Sequence, residues 1–348
     1  MSSARIAPRV LRCSLFHNRI PRGLRVGLAY DLRSEYLAAG YSKEAVAEFD
    51  SDETISELEN AVKSLGCRVE RIGNARALCK RLVAGDRWDL VFSIAEGVSG
   101  RSREAQIPAM LEAYGIRYTF SDPLTCATTL DKAVAKRIVR DSGLKTPAFH
   151  LVREPSDIRT VHLKMPLFAK PVAEGTGKGI DKCSLVENRR DLEKVCRSLL
   201  KKLHQPVLVE EFLPGREFTV GILGTGKKAY ALGTMEVEIL PKAGRTIYSY
   251  EMKERCEELV RYSPLRDRKQ RKDAEELALR CYIALECRDA GRVDVRLDSD
   301  GRASFMEVNP IPGLHPTHSD LPMIATQQGM SYRDLIGSII RSSLTECP

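Results

Sequence analysis

Leu24 to Tyr30 and Trp88 to Ile94 are short, largely apolar runs, Thr54 to Leu65 carries apolar residues at helical spacing and stops at Gly66, and Cys67 to Ile72 alternates. The pattern reads strand, helix, strand, helix, strand. It predicts a parallel α/β sheet covered on both faces, with functional loops at the strand C-terminal ends, Asp31 to Glu35 and Ala95 to Glu104. A helix from Ile107 to Tyr114 closes at Gly115, and Tyr118 with the Asp122-Pro123 turn finishes a first domain near residue 127.

Beyond it the order becomes α+β. A helix is predicted over Asp131 to Ser142, then strands at His150 to Val152, Leu167 to Pro171 and Asp181 to Val186, a helix over Asn188 to Lys202 and a strand at Val207 to Phe212. A last unit opens with strands at Glu217 to Ile222 and Ala229 to Ile239 and carries a helix over Lys272 to Leu285. The expected division is a basic extension (1–22), an N-terminal α/β domain (23–127), a central domain (128–216) and a C-terminal domain (217–348).

The last unit contains Gly291 to Gly313, two alternating runs (Val293 to Leu297 and Ala303 to Asn309) around Asp298-Ser299-Asp300-Gly301, the signal for an antiparallel hairpin. With Ser299 and Asp300 as a two-residue turn, Arg292 lies opposite Glu307. Period-2 alternation then puts Asp294 and Asn309 on the same face, while Val293, Val295, Leu297, Met306 and Val308 line the core. Two carboxylates and an amide oxygen are hard ligands suited to Mg²⁺, and the arginine beside them would hold a phosphate or carboxylate oxygen. The Asn309-Pro310-Ile311-Pro312-Gly313 run forces a loop whose backbone amides can bind an anion.

A glycine-rich loop, Ala173-Glu174-Gly175-Thr176-Gly177-Lys178-Gly179, departs from a P-loop because Gly179 follows the lysine and a β-like segment follows the loop. Strand, glycine loop, strand makes a flap whose bare amides can close over a triphosphate. Lys170, inside the apolar strand before it, needs an anionic partner, which phosphate would supply. Val207 to Leu213 reads as a buried strand ending in acids, where backbone groups near Glu211 and Leu213 would read an adenine edge and Glu217 would accept from a ribose hydroxyl.

Composition narrows the function classes. No apolar run of the 348 residues approaches the roughly 18–20 needed to span a bilayer. Ten cysteines without C-x-x-C or histidine-linked spacing read as reduced core thiols of a cytoplasmic protein. The net charge of +8 is concentrated partly in Arg5, Arg9, Arg12, Arg19 and Arg22, a stretch read as a basic arm, an organellar presequence or an overextended start. A second basic cluster, Arg261 to Lys272, lacks interleaved aromatics and reads as a solvated helix start, so nucleic acid is not expected as a partner.

In order, Leu130-Asp131-Lys132, Lys170 with its flap, Val-Glu-Glu-Phe-Leu (209–213), Gly-Arg-Glu-Phe-Thr-Val (215–220), and Arg-Val-Asp (292–294) with Glu-Val-Asn-Pro-Ile-Pro-Gly (307–313) resemble the ATP-grasp superfamily, and within it the D-alanine–D-alanine ligases. The resemblance spans roughly residues 128 to 322. It implies a three-domain ATP-grasp enzyme of cell-wall biogenesis that phosphorylates a carboxylate and lets an amine attack the acyl phosphate. Its partners would be small amino acids or peptides, and it would dimerise through the first domain.

By motif, Lys132 and Lys170 would contact ATP phosphates under the flap of Glu174, Gly175, Gly177 and Gly179. Glu210, Glu211, Phe212 and Leu213 would form the adenine pocket, and Glu217 would meet the ribose. Asp294, Glu307 and Asn309 would hold two Mg²⁺ ions, or Mn²⁺. Lys253 would lie near the γ-phosphate, Arg292 and the Gly313 backbone would stabilise the oxyanion, and Ser319 would hold the acceptor carboxylate. The family's Gly-Gly-x-Ser-x-Glu and His-Gly-x-x-Gly-Glu-Asp-Gly loops are replaced by Ala29 to Glu35 and Ala95 to Glu104. Here Glu35, Glu96 and Glu104 would hold a donor ammonium, and Arg101 or Arg103 an additional donor carboxylate. The alternatives are a ligase joining other amino acids or peptides in specialised metabolism, or a nucleotide-binding pseudoenzyme.

Overall fold

The computed structural model describes residues 19–240 and 259–345. The first sheet holds β1 (Arg25–Ala29), β2 (Arg68–Gly73) and β3 (Leu90–Ser93), all parallel in the order β2-β1-β3. Every residue of β3 is buried, as a continuous apolar run requires when helices cover both faces. After a short α1 (Arg33–Ala38), the crossover helix α2 (Asp52–Ser64) is capped by Ser51, whose side chain accepts from the Thr54 amide, and is followed by Gly66 at positive φ. Helices α3 (Ala75–Val83) and α4 (Gln106–Ala113) cover the other face with Leu78, Leu82, Ile107 and Leu111.

Two further helices, α5 (Pro123–Leu130) and α6 (Lys132–Asp141), are capped by Asp122 and Asp131. The second sheet is antiparallel, with order β4-β7-β5-β6 for β4 (Phe149–Val152), β5 (Leu167–Pro171), β6 (Leu185–Val186) and β7 (Val207–Glu211). Helix α7 (Arg189–Leu203) packs on it through Leu192, Val195, Cys196 and Leu199, one stripe at helical spacing. The strand expected over Asp181 to Val186 is only its last two residues, because residues before Leu185 form turns in which Asp181 and Ser184 bond each other's backbone and side chain.

The third sheet is antiparallel, in the order β10-β9-β8-β11-β12: β8 (Glu217–Leu223), β9 (Tyr230–Ile239), β10 (Val260–Pro264), β11 (Ala290–Leu297) and β12 (Ala303–Asn309). The basic cluster is therefore part strand: β10 takes Arg261, and the helix behind it, α8 (Arg268–Ala284), begins after its Asp267 cap. Helix α6 lies on this sheet with Ala135 and Val139, so its N-terminus, bonded from Lys132 N–H to the Val172 carbonyl, meets the second sheet. Helices α9 (Asp320–Gln327) and α10 (Tyr332–Thr345) return to the first sheet, where Leu335, Ile336, Ile339 and Ile340 share a core with Leu28, Leu58 and Phe92.

The β11–β12 hairpin departs from the expected register. Leu297 pairs with Ala303 across a five-residue loop, and a bulge at Asp294/Val295 then sets Asp294 opposite Glu307 and Arg292 opposite Asn309. A longer loop alone would have turned Glu307 to the core. The bulge adds the residue that restores parity, so all four polar residues still share a face. The extra residue is Met306, expected in the core but facing the cleft, while Phe305 takes its core place, fully buried beside Val295.

Among the described residues no helix is long and apolar enough to cross a membrane. Five of the seven described cysteines are buried, and all seven are free thiols. Lys253 and Arg5, Arg9 and Arg12 lie outside the described residues.

Candidate active site

The second and third sheets face each other across a cleft whose base is the start of α6. Lys170 belongs to a strand buried at four of its five positions, and its ammonium lies 3.0 Å from Glu210 and 3.9 Å from Glu307. Lys132, the first residue of α6, reaches Glu307 at 3.5 Å and donates to the Glu174 carbonyl at 2.7 Å. Two lysines from one side thus converge on a carboxylate from the other. Glu307 compensates their charge, and an anionic group entering the cleft would find both ammonium groups already placed.

A third lysine supports this arrangement. Lys136, fully buried one turn beyond Lys132, lies 2.9 Å from Glu210 and also bonds Thr146 and the Phe305 carbonyl. Burial pushes its ammonium down to about 8 although Glu210 opposes that shift. Burial would likewise raise Glu210, but Lys136 and Lys170 overcome it and hold the carboxyl below its ordinary range. The i,i+4 spacing of Lys132 and Lys136 was the available sequence signal for Lys136.

Across the cleft Asp294 accepts from Thr219 at 2.9 Å and from Arg292, whose guanidinium also lies 3.3 Å from Asp320. Burial, against the pull of Arg292, raises the Asp294 carboxyl to about 6, and Glu307 and Asp320 add to the rise. Asn309 carries a buried amide nitrogen without a hydrogen-bond partner. Among the described residues no three His, Cys, Asp or Glu side chains gather as a metal site, so a cation here would depend on the Asn309 amide as third donor. Two carboxylates, and an amide whose nitrogen has no bond to lose when its oxygen turns to the site, fit a hard divalent ion.

The cleft is lined by Phe168, Lys178, Ile180, Glu211, Phe212 and Leu213 as well as by these charges. Glu217 opens β8 and pairs with Arg296 at 3.3 Å, and the Arg296 guanidinium lies 5.0 Å from the centre of the Phe212 ring. Gly175 and Gly177 line the cleft, but Gly179 does not: it sits at positive φ, where a Cβ would lie 2.7 Å from Pro171 and 2.8 Å from Leu203. Its absent side chain serves packing of the loop onto its own sheet.

The cleft continues into a larger cavity of ≈ 610 Å³ towards the first sheet. Gly313 and Ser319 line one side, and the Ser319 hydroxyl accepts from the His315 amide at 2.9 Å. Opposite stand Glu48, Asp50, Glu96 and Glu104. Burial raises Glu104 and Asp50 to about 7 each, and burial with the charges of Glu104 and Glu48 raises Glu96 well above the ordinary range. Such a wall suits an ammonium group. Glu48 and Asp50 escaped the sequence reading because they sit in an irregular segment, held by Arg33 on the Ala47 and Phe49 carbonyls, with no periodicity to betray its direction.

Three expected substrate residues are placed elsewhere. Glu35 lines a separate recess of ≈ 420 Å³ with Tyr36, Tyr41 and Arg76, because α1 carries it outward. Arg101 is mostly exposed and pairs with Asp131 at 2.9 Å, while Arg103 is buried on Glu48 and the Ala173 carbonyl. Neither guanidinium lines the cavity.

Residues 138–341 match the family model described as D-ala D-ala ligase C-terminus. The chain is 35% identical over 311 residues to the D-alanine–D-alanine ligase of Aquifex aeolicus, covering 89% of this chain and 100% of that one. It is 38% identical over 269 residues to the ligase of the same name from Bordetella petrii, covering 76% and 78%. In fold it is similar to the crystal structure of D-alanine–D-alanine ligase from Bacillus anthracis complexed with ATP, with a TM-score of 0.72 at 22% identity over 93% of this chain and 98% of that one.

Proposed function

Because the chain belongs to the D-alanine–D-alanine ligase family and is thus an ATP-dependent carboxylate–amine ligase, we propose that it joins two D-alanine molecules through an acyl phosphate, releasing ADP and phosphate. One observation carries the reading: Lys132 and Lys170 converge on Glu307 across the cleft, with Asp294 and Asn309 on the same sheet face and an acidic cavity beyond.

The base of ATP lies among Phe168, Glu211, Phe212 and Leu213, its ribose meets Glu217, and its phosphates run under Gly175 and Gly177 towards Lys132 and Lys170. A divalent cation held by Asp294, Glu307 and Asn309 would supply charge compensation to the terminal phosphates. The donor enters the larger cavity, its ammonium on Glu96 and Glu104 and its carboxylate towards the γ-phosphate. Arg292 and the Gly313 backbone stabilise the oxyanion that forms when the second amine attacks, and Ser319 orients the acceptor through its carboxylate. Positioning and fixed charge are what phosphoryl transfer asks of a protein, and both lie around this cleft.

Product identification tests the reading. Incubation with Mg-ATP and D-alanine should yield a D-alanyl-D-alanine mass and equimolar ADP, with L-alanine inert. ADP formation with another amino acid, and none with D-alanine, would keep the ligase and reassign its substrate.

A further inference from the structure

Three successive residues at the stem of the glycine loop are held from outside their own sheet. The Ala173 carbonyl accepts from Arg103 at 2.8 Å, the Glu174 carbonyl from Lys132 at 2.7 Å, and the Gly175 N–H donates to Glu48. Arg103 closes the triangle on Glu48 at 2.9 Å, with only 9% and 11% of the two side chains exposed. A Cβ at 175 would meet the Glu48 carboxylate, so any side chain there would push that carboxylate off the amide.

A buried ion pair is a poor device for stability alone, because desolvation offsets most of its attraction. What this one adds is direction. The arginine fork binds a carboxylate and a carbonyl at once, and the carboxylate's second oxygen takes the neighbouring amide. A second pair joins the same parts of the molecule at the rim, Glu44 with Lys202 at 2.8 Å, but its side chains are 37% and 56% exposed and screened by water.

Glu48 also lines the ≈ 610 Å³ cavity, within electrostatic reach of Glu96 and Glu104. One carboxylate therefore touches both the flap stem and the wall where an ammonium would sit. We infer that Glu48 and Arg103 are positioning residues that set the glycine flap over the nucleotide from the wall of the amino-acid cavity, linking flap closure to cation arrival there. An ammonium in the wall relieves the repulsion between Glu48 and its acidic neighbours, and so strengthens the hold of Glu48 on Arg103 and Gly175. By linkage, nucleotide under the flap favours the amino acid in return.

The inference rests on the placement of nucleotide and amino acid given above, so its test has one arm that needs no turnover. Amide exchange over residues 173–178 is followed by mass spectrometry, with and without Mg-ATP, in the wild type, Glu48→Gln, Arg103→Lys and Lys202→Ala. In Glu48→Gln, stem exchange should quicken about tenfold, and KM for ATP should rise about tenfold with kcat within about threefold. Arg103→Lys, able to reach one acceptor rather than two, should fall between, and Lys202→Ala should match the wild type. D-alanine should slow stem exchange in the wild type and leave Glu48→Gln unmoved. Wild-type stem exchange in Glu48→Gln, or equal quickening in Lys202→Ala, would overturn the clasp. Failure of D-alanine to turn over would instead contradict the substrate assignment, with the exchange arm still deciding the clasp.

Discussion

Glu104 shows how a single buried carboxylate carries both a site and a cost. Its carboxyl is raised to about 7, first by burial, so the folded protein holds a proton there that the unfolded chain has lost above roughly pH 4. Stability therefore falls as pH rises from about 4 to 7, and the loss is complete above 7. Glu104→Gln should stabilise the ligand-free protein by about 1–3 kcal/mol at pH 8 and by little at pH 4, read from thermal melts at both. A larger gain at the lower pH would contradict the assignment. The same variant should raise KM for the donor, since the wall loses a charge that meets its ammonium. Lysine in an apolar strand and carboxylates in an alternating run announced Lys170, Asp294 and Glu307. The partners of Arg103 could not be read, because Glu48 and Ala173 come from segments far away in sequence.

At the scale of elements, the hairpin shows how two departures can cancel. The loop is longer than the two residues expected, and the bulge adds another residue, so the ligand face survives although each pairing is displaced. Deleting Met306 should remove the bulge yet keep turnover within about tenfold, because Phe305 stays opposite Val295 and Glu307, now next to it, stays opposite Asp294 on the cleft face. Circular dichroism should show the strands retained, and complete loss of activity in that folded variant would contradict the face assignment. Helices and strands with a clear period were legible to within a few residues. The glycine loop was legible only as a loop, since the path after Gly179 is set by turn hydrogen bonds and by packing on Pro171 and Leu203.

Over the whole molecule, the last described helix returns to the first sheet. Helix α10 buries Leu335, Ile336, Ile339 and Ile340 in a core that also takes in Leu223 and Ala290, so it ties the first sheet to the third. Ile339→Ala should cost about 2–4 kcal/mol in urea unfolding while leaving KM for ATP unchanged, and an unchanged midpoint would contradict that packing. The central claim is that the cleft between the second and third sheets activates a carboxylate with ATP. The most direct measurement is ADP release from purified protein with Mg-ATP and D-alanine, beside Glu307→Gln. The account predicts metal-dependent ADP release that requires D-alanine and falls about 100-fold or more in the variant without loss of folding. Equal release by both proteins, or release indifferent to any amino acid, would contradict it.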